Sequence, residues 1–275
     1  MVSTLSTRTL GDVASDTWRI YKDNFWKIVG ISAMVQIPAS IVVGVMFLIL
    51  AGTGMASGFF DEPEPDPAIF LSSSFIAVLI VFLGVSMAAF FLMFIVLEGA
   101  VTHAVCQQYV WQQISVRLAF RRTFRRFWPM LGAVTLVFLA VFLMAITIIG
   151  IPFAVYFGLR WYYVLQVSLL EDLGPTESLR GSSELVEGNW WRVLGITFVL
   201  SFIISAVTFL PSFIPIIGPI IVNIVAWPAY TVAKTVLYCD LRLRAEGAEQ
   251  FNEGVLAGNI GLAPVEEGWS KFDPA

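Results

Sequence analysis

Residues 28–52 and 68–97 pass without one charged side chain, and four more apolar runs follow at 130–150, 152–170, 193–211 and 213–237. A helix rising 1.5 Å per residue needs about 20 residues to cross about 30 Å of hydrocarbon, so each run is long enough to span a bilayer once. Hydrophobic residues make up 58% of the 275 positions and charged residues 13%, more apolar surface than a soluble domain of this length hides. The third and fourth runs meet at Gly150-Ile151-Pro152-Phe153, and the fifth and sixth around Pro211-Ser212-Phe213-Ile214-Pro215. Proline lacks a donor and restricts the residue before it, so both places predict tight turns. The expected fold class is an all-α integral membrane protein with six transmembrane helices arranged as three helical hairpins.

Orientation follows from the basic residues. No Lys or Arg lies between Lys27 and Arg117, and this interval holds the loop Phe60-Asp61-Glu62-Pro63-Glu64-Pro65-Asp66-Pro67. The basic residues cluster before the first run, between the second and third, around the connection of the fourth to the fifth, and after the sixth. Retention of basic loops inside puts both termini and both long connections on the cytoplasmic side of the inner membrane. The first 24 residues have neither the short apolar core nor the small-residue cleavage site of a signal peptide.

One junction recurs three times. Phe25-Trp26-Lys27-Ile28-Val29-Gly30 returns as Phe127-Trp128-Pro129-Met130-Leu131-Gly132 and as Trp190-Trp191-Arg192-Val193-Leu194-Gly195. Each copy closes an amphipathic stretch and opens an apolar one. The reading is a single membrane domain over 1–247 made of three internal repeats, at about 9–113, 114–173 and 174–247. Each repeat starts with a helix on the cytoplasmic interface: Leu10 to Asn24, Val116 to Phe127, and Pro175 to Asn189, the last opening on proline and Glu177. Residues 248–275 are polar and aperiodic, which predicts a flexible cytoplasmic tail.

Several strings resemble the six-helix prokaryotic membrane domain named after glycerophosphoryl diester phosphodiesterases. They are Trp18-Arg19-Ile20-Tyr21-Lys22-Asp23-Asn24-Phe25, Leu170-Glu171-Asp172-Leu173-Gly174-Pro175, Gly188-Asn189-Trp190-Trp191-Arg192-Val193-Leu194-Gly195 and Leu237-Tyr238-Cys239-Asp240-Leu241-Arg242-Leu243-Arg244-Ala245-Glu246-Gly247. The resemblance covers most of 10–247 and implies six membrane helices. It implies no chemistry, and nothing after Gly247 is long enough for the catalytic barrel of the fused form.

The residue inventory points away from an enzyme. His103 is the single histidine, and no HExxH, CxxC or GxxxxGK occurs. No metal or cofactor is expected. Asp61, Glu62, Glu64 and Asp66 are separated by prolines that prevent an EF-hand-like loop. Cys106 and Cys239 are far apart in the chain and suggest small buried residues, not a disulfide framework. No nucleic-acid motif is present.

Two groups of residues remain. An ionisable side chain near the centre of a bilayer costs at least about 2.5–3.5 kcal/mol, so those inside spans are candidates. Arg160 lies eight residues past Pro152, about 12 Å from the outer turn if the span runs straight. The second and third junctions are 63 residues apart, and this offset sets Arg160 beside Glu98 on equivalent helices. Glu98 and Arg160 are therefore expected to pair, or to share a polar inward-opening cavity with His103, Gln166 or Lys234. The second group is Arg117, Arg121, Arg122, Arg125 and Arg126, which mark a helix able to bind anionic headgroups.

The leading functional reading is a non-enzymatic membrane protein that organises or binds lipid, anionic lipid included, or a partner at the inner face. The alternative is a small transporter or lipid-handling permease with its site around Arg160 and Glu98, although inverted repeats are the commoner transporter plan. A membrane-embedded hydrolase is a weaker third. Sequence leaves a protein partner and homo-oligomerisation open.

Overall fold

The computed structural model describes residues 9–56, 73–111, 113–209, 217–247, 251 and 253–259. The acidic proline-rich loop and the turn at Pro211–Pro215 lie outside them. The described residues are helical, with no strand among them. Four helices are long and apolar enough to cross a membrane: α2 (Phe25–Ala56), α3 (Ser73–Trp111), α5 (Phe127–Ala145) and α9 (Trp190–Phe209). The others are α1 (Leu10–Asp23), α4 (Val116–Arg125), α6 (Gly150–Arg160), α7 (Val164–Leu170), α8 (Pro175–Val186), α10 (Ile217–Glu246) and α11 (Glu253–Asn259).

The chain divides into two compact units, Ala33–Phe94 and the remainder. Within Ala33–Phe94, large apolar side chains such as Ile41, Leu48, Ile80 and Leu83 are exposed. A soluble chain does not leave that much apolar surface uncovered, so these helices mark a membrane protein.

The other unit holds a densely packed core. Three helical segments in it are buried on every side: residues 95–107 of α3, all of α7, and residues 231–241 of α10. A helix buried all round needs no amphipathic stripe. At 39 residues, α3 is about 58 Å long, far more than one bilayer crossing requires. Around these segments α1 packs on α10, α5 on α7 and α8, and α9 on α10. In α5 and α9, burial is confined to the first turns (Met130, Ala133 and Val134; Val193 and Ile196), and most of the large apolar side chains further along are exposed.

Local chemistry explains the short helices. Thr9 and Asp12 form a reciprocal cap at the start of α1, with Thr9 N–H donating to Asp12 Oδ2 at 2.9 Å and Asp12 N–H to Thr9 Oγ1 at 3.3 Å. α8 opens with Pro175 in its first turn and Glu177 accepting from Gly174 N–H at 3.0 Å. The three amphipathic helices read from sequence thus occur as α1, α4 and α8, each ending within one to four residues of its aromatic-Trp pair.

The junctions share their geometry. Phe25–Trp26, Phe127–Trp128 and Trp190–Trp191 are edge-on ring pairs with centroids 5.4, 5.5 and 4.8 Å apart. Trp26, Trp128 and Trp191 are exposed, while Ile28, Met130 and Val193, two residues on, are fully buried. The shared glycine has a packing reason in the second copy only. A Cβ at Gly132 would lie 2.9 Å from Pro175, whereas Gly30 and Gly195 have open space.

Two expectations need correction. The fourth apolar run is not one helix: it breaks at Trp161–Tyr163 into α6 and α7. The buried Ser182 hydroxyl of α8 stands at the break, accepting from Tyr163 N–H at 3.1 Å and donating to Arg160 C=O at 2.8 Å. It satisfies two backbone groups that a continuous helix would have paired internally. In the stretch after residue 248, expected to be a flexible tail, the described residues form α11 and bury Phe251 and Leu256. Two apolar anchors in a polar stretch were too few to register as a periodic pattern.

Candidate functional site

The buried faces of α3, α7 and α10 carry a polar network centred on Glu98. Its Oε1 accepts from Lys234 Nζ at 2.7 Å and from Gln166 Nε2 at 2.9 Å, and its Oε2 accepts from Thr231 Oγ1 at 2.9 Å. The Lys234 ammonium also lies 4.5 Å from the centroid of the Tyr162 ring, and the Tyr162 hydroxyl is bonded to that of Tyr230. Charges buried this deeply persist because they meet each other, with two further hydrogen bonds on Glu98 and the Tyr162 ring beside Lys234.

The network continues along the helices. One turn beyond Glu98, the hydroxyls of Thr102 and Thr235 are 3.2 Å apart. Thr235 gives its proton to Thr231 C=O at 2.8 Å, so Thr102 is the donor of that pair. One turn further along the two helices stand Cys106 and Cys239, both fully buried. Glu98 with Thr231, Thr102 with Thr235, and Cys106 with Cys239 keep one constant spacing in sequence. α3 and α10 therefore run parallel in a single register.

Of the five intramembrane candidates, the structure joins Glu98, Gln166 and Lys234 and separates the other two. His103 Nδ1 is 2.7 Å from Gln107 Nε2, and Gln107 Oε1 accepts from Ser115 N–H at 2.6 Å, so this chain of bonds secures the entry to α4. Arg160 does not pair with Glu98. Its guanidinium lies 3.5 Å from the exposed Glu187 carboxylate and 5.8 Å from the Tyr156 ring, which stacks on Trp190 at 5.9 Å. The straight-helix count that set Arg160 beside Glu98 fails because the chain turns at Trp161–Tyr163. A polar cavity of about 380 Å³ lies among Glu171, Glu177, Arg180, Glu184, Arg242 and Glu246, and none of the five lines it.

The arginines of α4 also divide. Arg122 and Arg126 turn inward onto the C-terminal end of α7 and the connection after it. Arg122 donates to Asp172 Oδ2 at 2.9 Å, Leu169 C=O at 3.4 Å and Asn259 C=O at 2.8 Å; Arg126 donates to Ser168 C=O at 3.1 Å and Leu173 C=O at 2.6 Å. Positive charge there meets carbonyls that α7 leaves unpaired and opposes its dipole. Asp172, in the left-handed region at φ 56°, takes the place glycine usually fills after a helix. Arg117, Arg121 and Arg125 are exposed on one face with Phe124, and Trp128 is exposed just past its end. Of the five arginines expected to face outward, three are exposed, because helix periodicity puts the other two on the packed side.

Lys234 aside, sequence reading missed the charges of α10. The fully buried Asp240 is 2.9 Å from Arg192 and 3.0 Å from Arg244. Arg242 bridges Glu171 at 3.1 Å and Glu246 at 2.9 Å, and Tyr238 O–H donates to Glu171 at 2.8 Å. Burial raises the Glu171 carboxyl above its ordinary value, against the opposing pull of Arg242 and the Tyr238 bond. The four-residue spacing of Asp240 with Arg244 and of Arg242 with Glu246 was the available signal. Among the described residues, no cluster of three metal-ligating side chains occurs.

No family model, curated protein or solved structure matches the chain.

Proposed function

We propose that this is a non-enzymatic integral membrane protein that binds anionic lipid at the inner face of the cytoplasmic membrane through the exposed face of α4. In this reading α6–α7 and α10 supply two further crossings, giving six helices in three hairpins. Both termini are cytoplasmic, and α1, α4 and α8 lie at the interface, each leading into a hairpin. The observation that carries the proposal is the grouping of exposed Arg117, Arg121 and Arg125 with exposed Phe124 and Trp128. Aromatic rings settle at headgroup level, and each nearby arginine contributes about 1 kcal/mol toward an anionic surface.

The single histidine is engaged with Gln107 inside the core, which supports the non-enzymatic reading. The transporter alternative rests on the buried charges around Glu98. It is weakened by the separation of Glu98 from Arg160 and by the engagement of every oxygen of Glu98.

Lipid preference tests the proposal. The purified protein in neutral detergent is titrated with anionic and with zwitterionic phospholipid, and bound lipid is counted by native mass spectrometry. Replacing Arg117, Arg121 and Arg125 together by glutamine is expected to weaken the anionic preference roughly 100-fold at low salt. An unchanged preference in that variant overturns it.

A further inference from the structure

The third aromatic-Trp junction differs from the second in the charges it presents. Arginines alone are exposed beside Trp128, whereas at Trp190–Trp191 both signs meet: Arg160 ends α6 and Glu187 caps the end of α8. Arg192, the other basic residue of this junction, turns to the buried Asp240 at 2.9 Å. Arg160 Nη2 stands 3.5 Å from Glu187 Oε2, beyond the roughly 2.7–2.9 Å of a closed ion pair. A carboxylate at the C-terminal end of a helix opposes the helix dipole, and 72% of the Glu187 side chain is exposed. Arg160 is held in place, its C=O accepting from Ser182 Oγ at 2.8 Å and its Nη1 donating to the Tyr156 hydroxyl at 3.3 Å. Tyr156 stacks on Trp190, and Trp190 stands edge-on to Trp191. Away from this pair of charges, α6 and α9 expose Ile151, Phe153, Phe198 and Phe202, an apolar surface that acyl chains cover.

We infer that Arg160 and Glu187 form a headgroup site for a zwitterionic aminophospholipid of the phosphatidylethanolamine type, with the phosphate on Arg160 and the primary ammonium on Glu187. Such a headgroup carries its two charges two carbons apart. Lying antiparallel to the Arg160–Glu187 pair, it meets each charge with its opposite. An anionic headgroup would bring a phosphate to Arg160 and leave Glu187 facing no cation. A primary ammonium keeps three N–H donors, which suit a carboxylate. A quaternary ammonium has none and is recognised inside a box of aromatic faces. Here Tyr156 and Trp190 each turn a face to the other, which favours the primary amine over choline. The inference rests on the reading that α8 and its junction lie at the inner interface, and it adds a second, charge-balanced lipid site apart from the cationic face of α4.

The test titrates the full chain in neutral detergent with phosphatidylethanolamine, phosphatidylcholine and phosphatidylglycerol of matched acyl chains, counting bound lipid by native mass spectrometry. Wild type is expected to bind the ethanolamine lipid more tightly than the choline lipid. Glu187→Gln and Arg160→Gln are each expected to weaken ethanolamine-lipid binding about tenfold, the loss of one charge-assisted hydrogen bond, and to leave phosphatidylglycerol binding unchanged. The variant lacking Arg117, Arg121 and Arg125 is expected to do the reverse. The two lipid sites are therefore read on different variants, and either can fail without the other. Glu187 is exposed, so Glu187→Gln is expected to keep the wild-type unfolding temperature and to report on the site alone. Equal binding of the ethanolamine and choline lipids by wild type, or unchanged ethanolamine-lipid binding in Glu187→Gln, would overturn the assignment. So would loss of ethanolamine-lipid binding in the α4 variant.

Discussion

Lys234 Nζ lies 2.7 Å from Glu98 Oε1 in a site where both side chains are almost wholly buried. Removing either partner strands the other charge where water does not reach, so Lys234→Met is expected to cost about 3–5 kcal/mol. The double replacement Glu98→Leu with Lys234→Met strands no charge and is expected to recover most of that loss. Unfolding of the two proteins in the same detergent, compared with wild type, checks it. A double variant no more stable than Lys234→Met refutes the ion-pair account.

Ser182 holds the break between α6 and α7 by bonding one backbone group on each side. Ser182→Ala leaves Tyr163 N–H and Arg160 C=O without that partner and is expected to cost about 1–3 kcal/mol. Faster hydrogen exchange at Tyr163 is the specific readout, and unchanged exchange there rules the role out.

Arg121 and Arg122 are adjacent in sequence and opposite in environment. Arg122→Gln loses bonds to Asp172 and two carbonyls and is expected to destabilise by about 1.5–3 kcal/mol. Arg121→Gln is expected to stay within about 0.5 kcal/mol. Thermal unfolding separates the two, and equal losses would contradict the division of the α4 face.

Glu171 gives the protein a pH dependence of known sign. Burial raises its carboxyl above the ordinary value, so the folded protein holds that proton more tightly than the unfolded chain does. Its contribution is most favourable below the ordinary pKa and is lost as pH rises through the raised one. Wild-type stability minus that of Glu171→Gln is therefore expected to fall with rising pH across that window. Unfolding midpoints of both proteins at matched pH values measure it, and a difference that climbs with pH would be inconsistent with the raised value.

A methyl group at Gly99 would lie 2.7 Å from Thr123 Cγ2 and 2.8 Å from Met130 Cε. Gly99→Ala is expected to cost about 1–3 kcal/mol by overpacking. Gly84, with open space around it, is the control: Gly84→Ala should not destabilise. Similar losses at both positions would point to a general effect of alanine and not to packing at Gly99.

Much of the element plan was legible because its signals are local. Pro175 with Glu177 and the aromatic-Trp pairs mark helix starts within a few residues of where they occur. The charge-free runs likewise mark α2, α3, α5 and α9. The break inside the fourth run was not legible, because its cause is Ser182, about twenty residues downstream and visible only once α8 packs on α6 and α7.

Sequence by itself determined that the chain is helical, that its long helices are apolar enough for a membrane, and where amphipathic helices precede them. These properties follow from hydropathy and capping, which depend on neighbours in the chain. Only the tertiary structure decided which charges meet. It gave Lys234 to Glu98, Glu187 to Arg160, and Asp172 to Arg122 and Arg126. Such pairings depend on the rotation of each helix about its axis and on where it bends. A repeat offset counted along a straight helix carries neither.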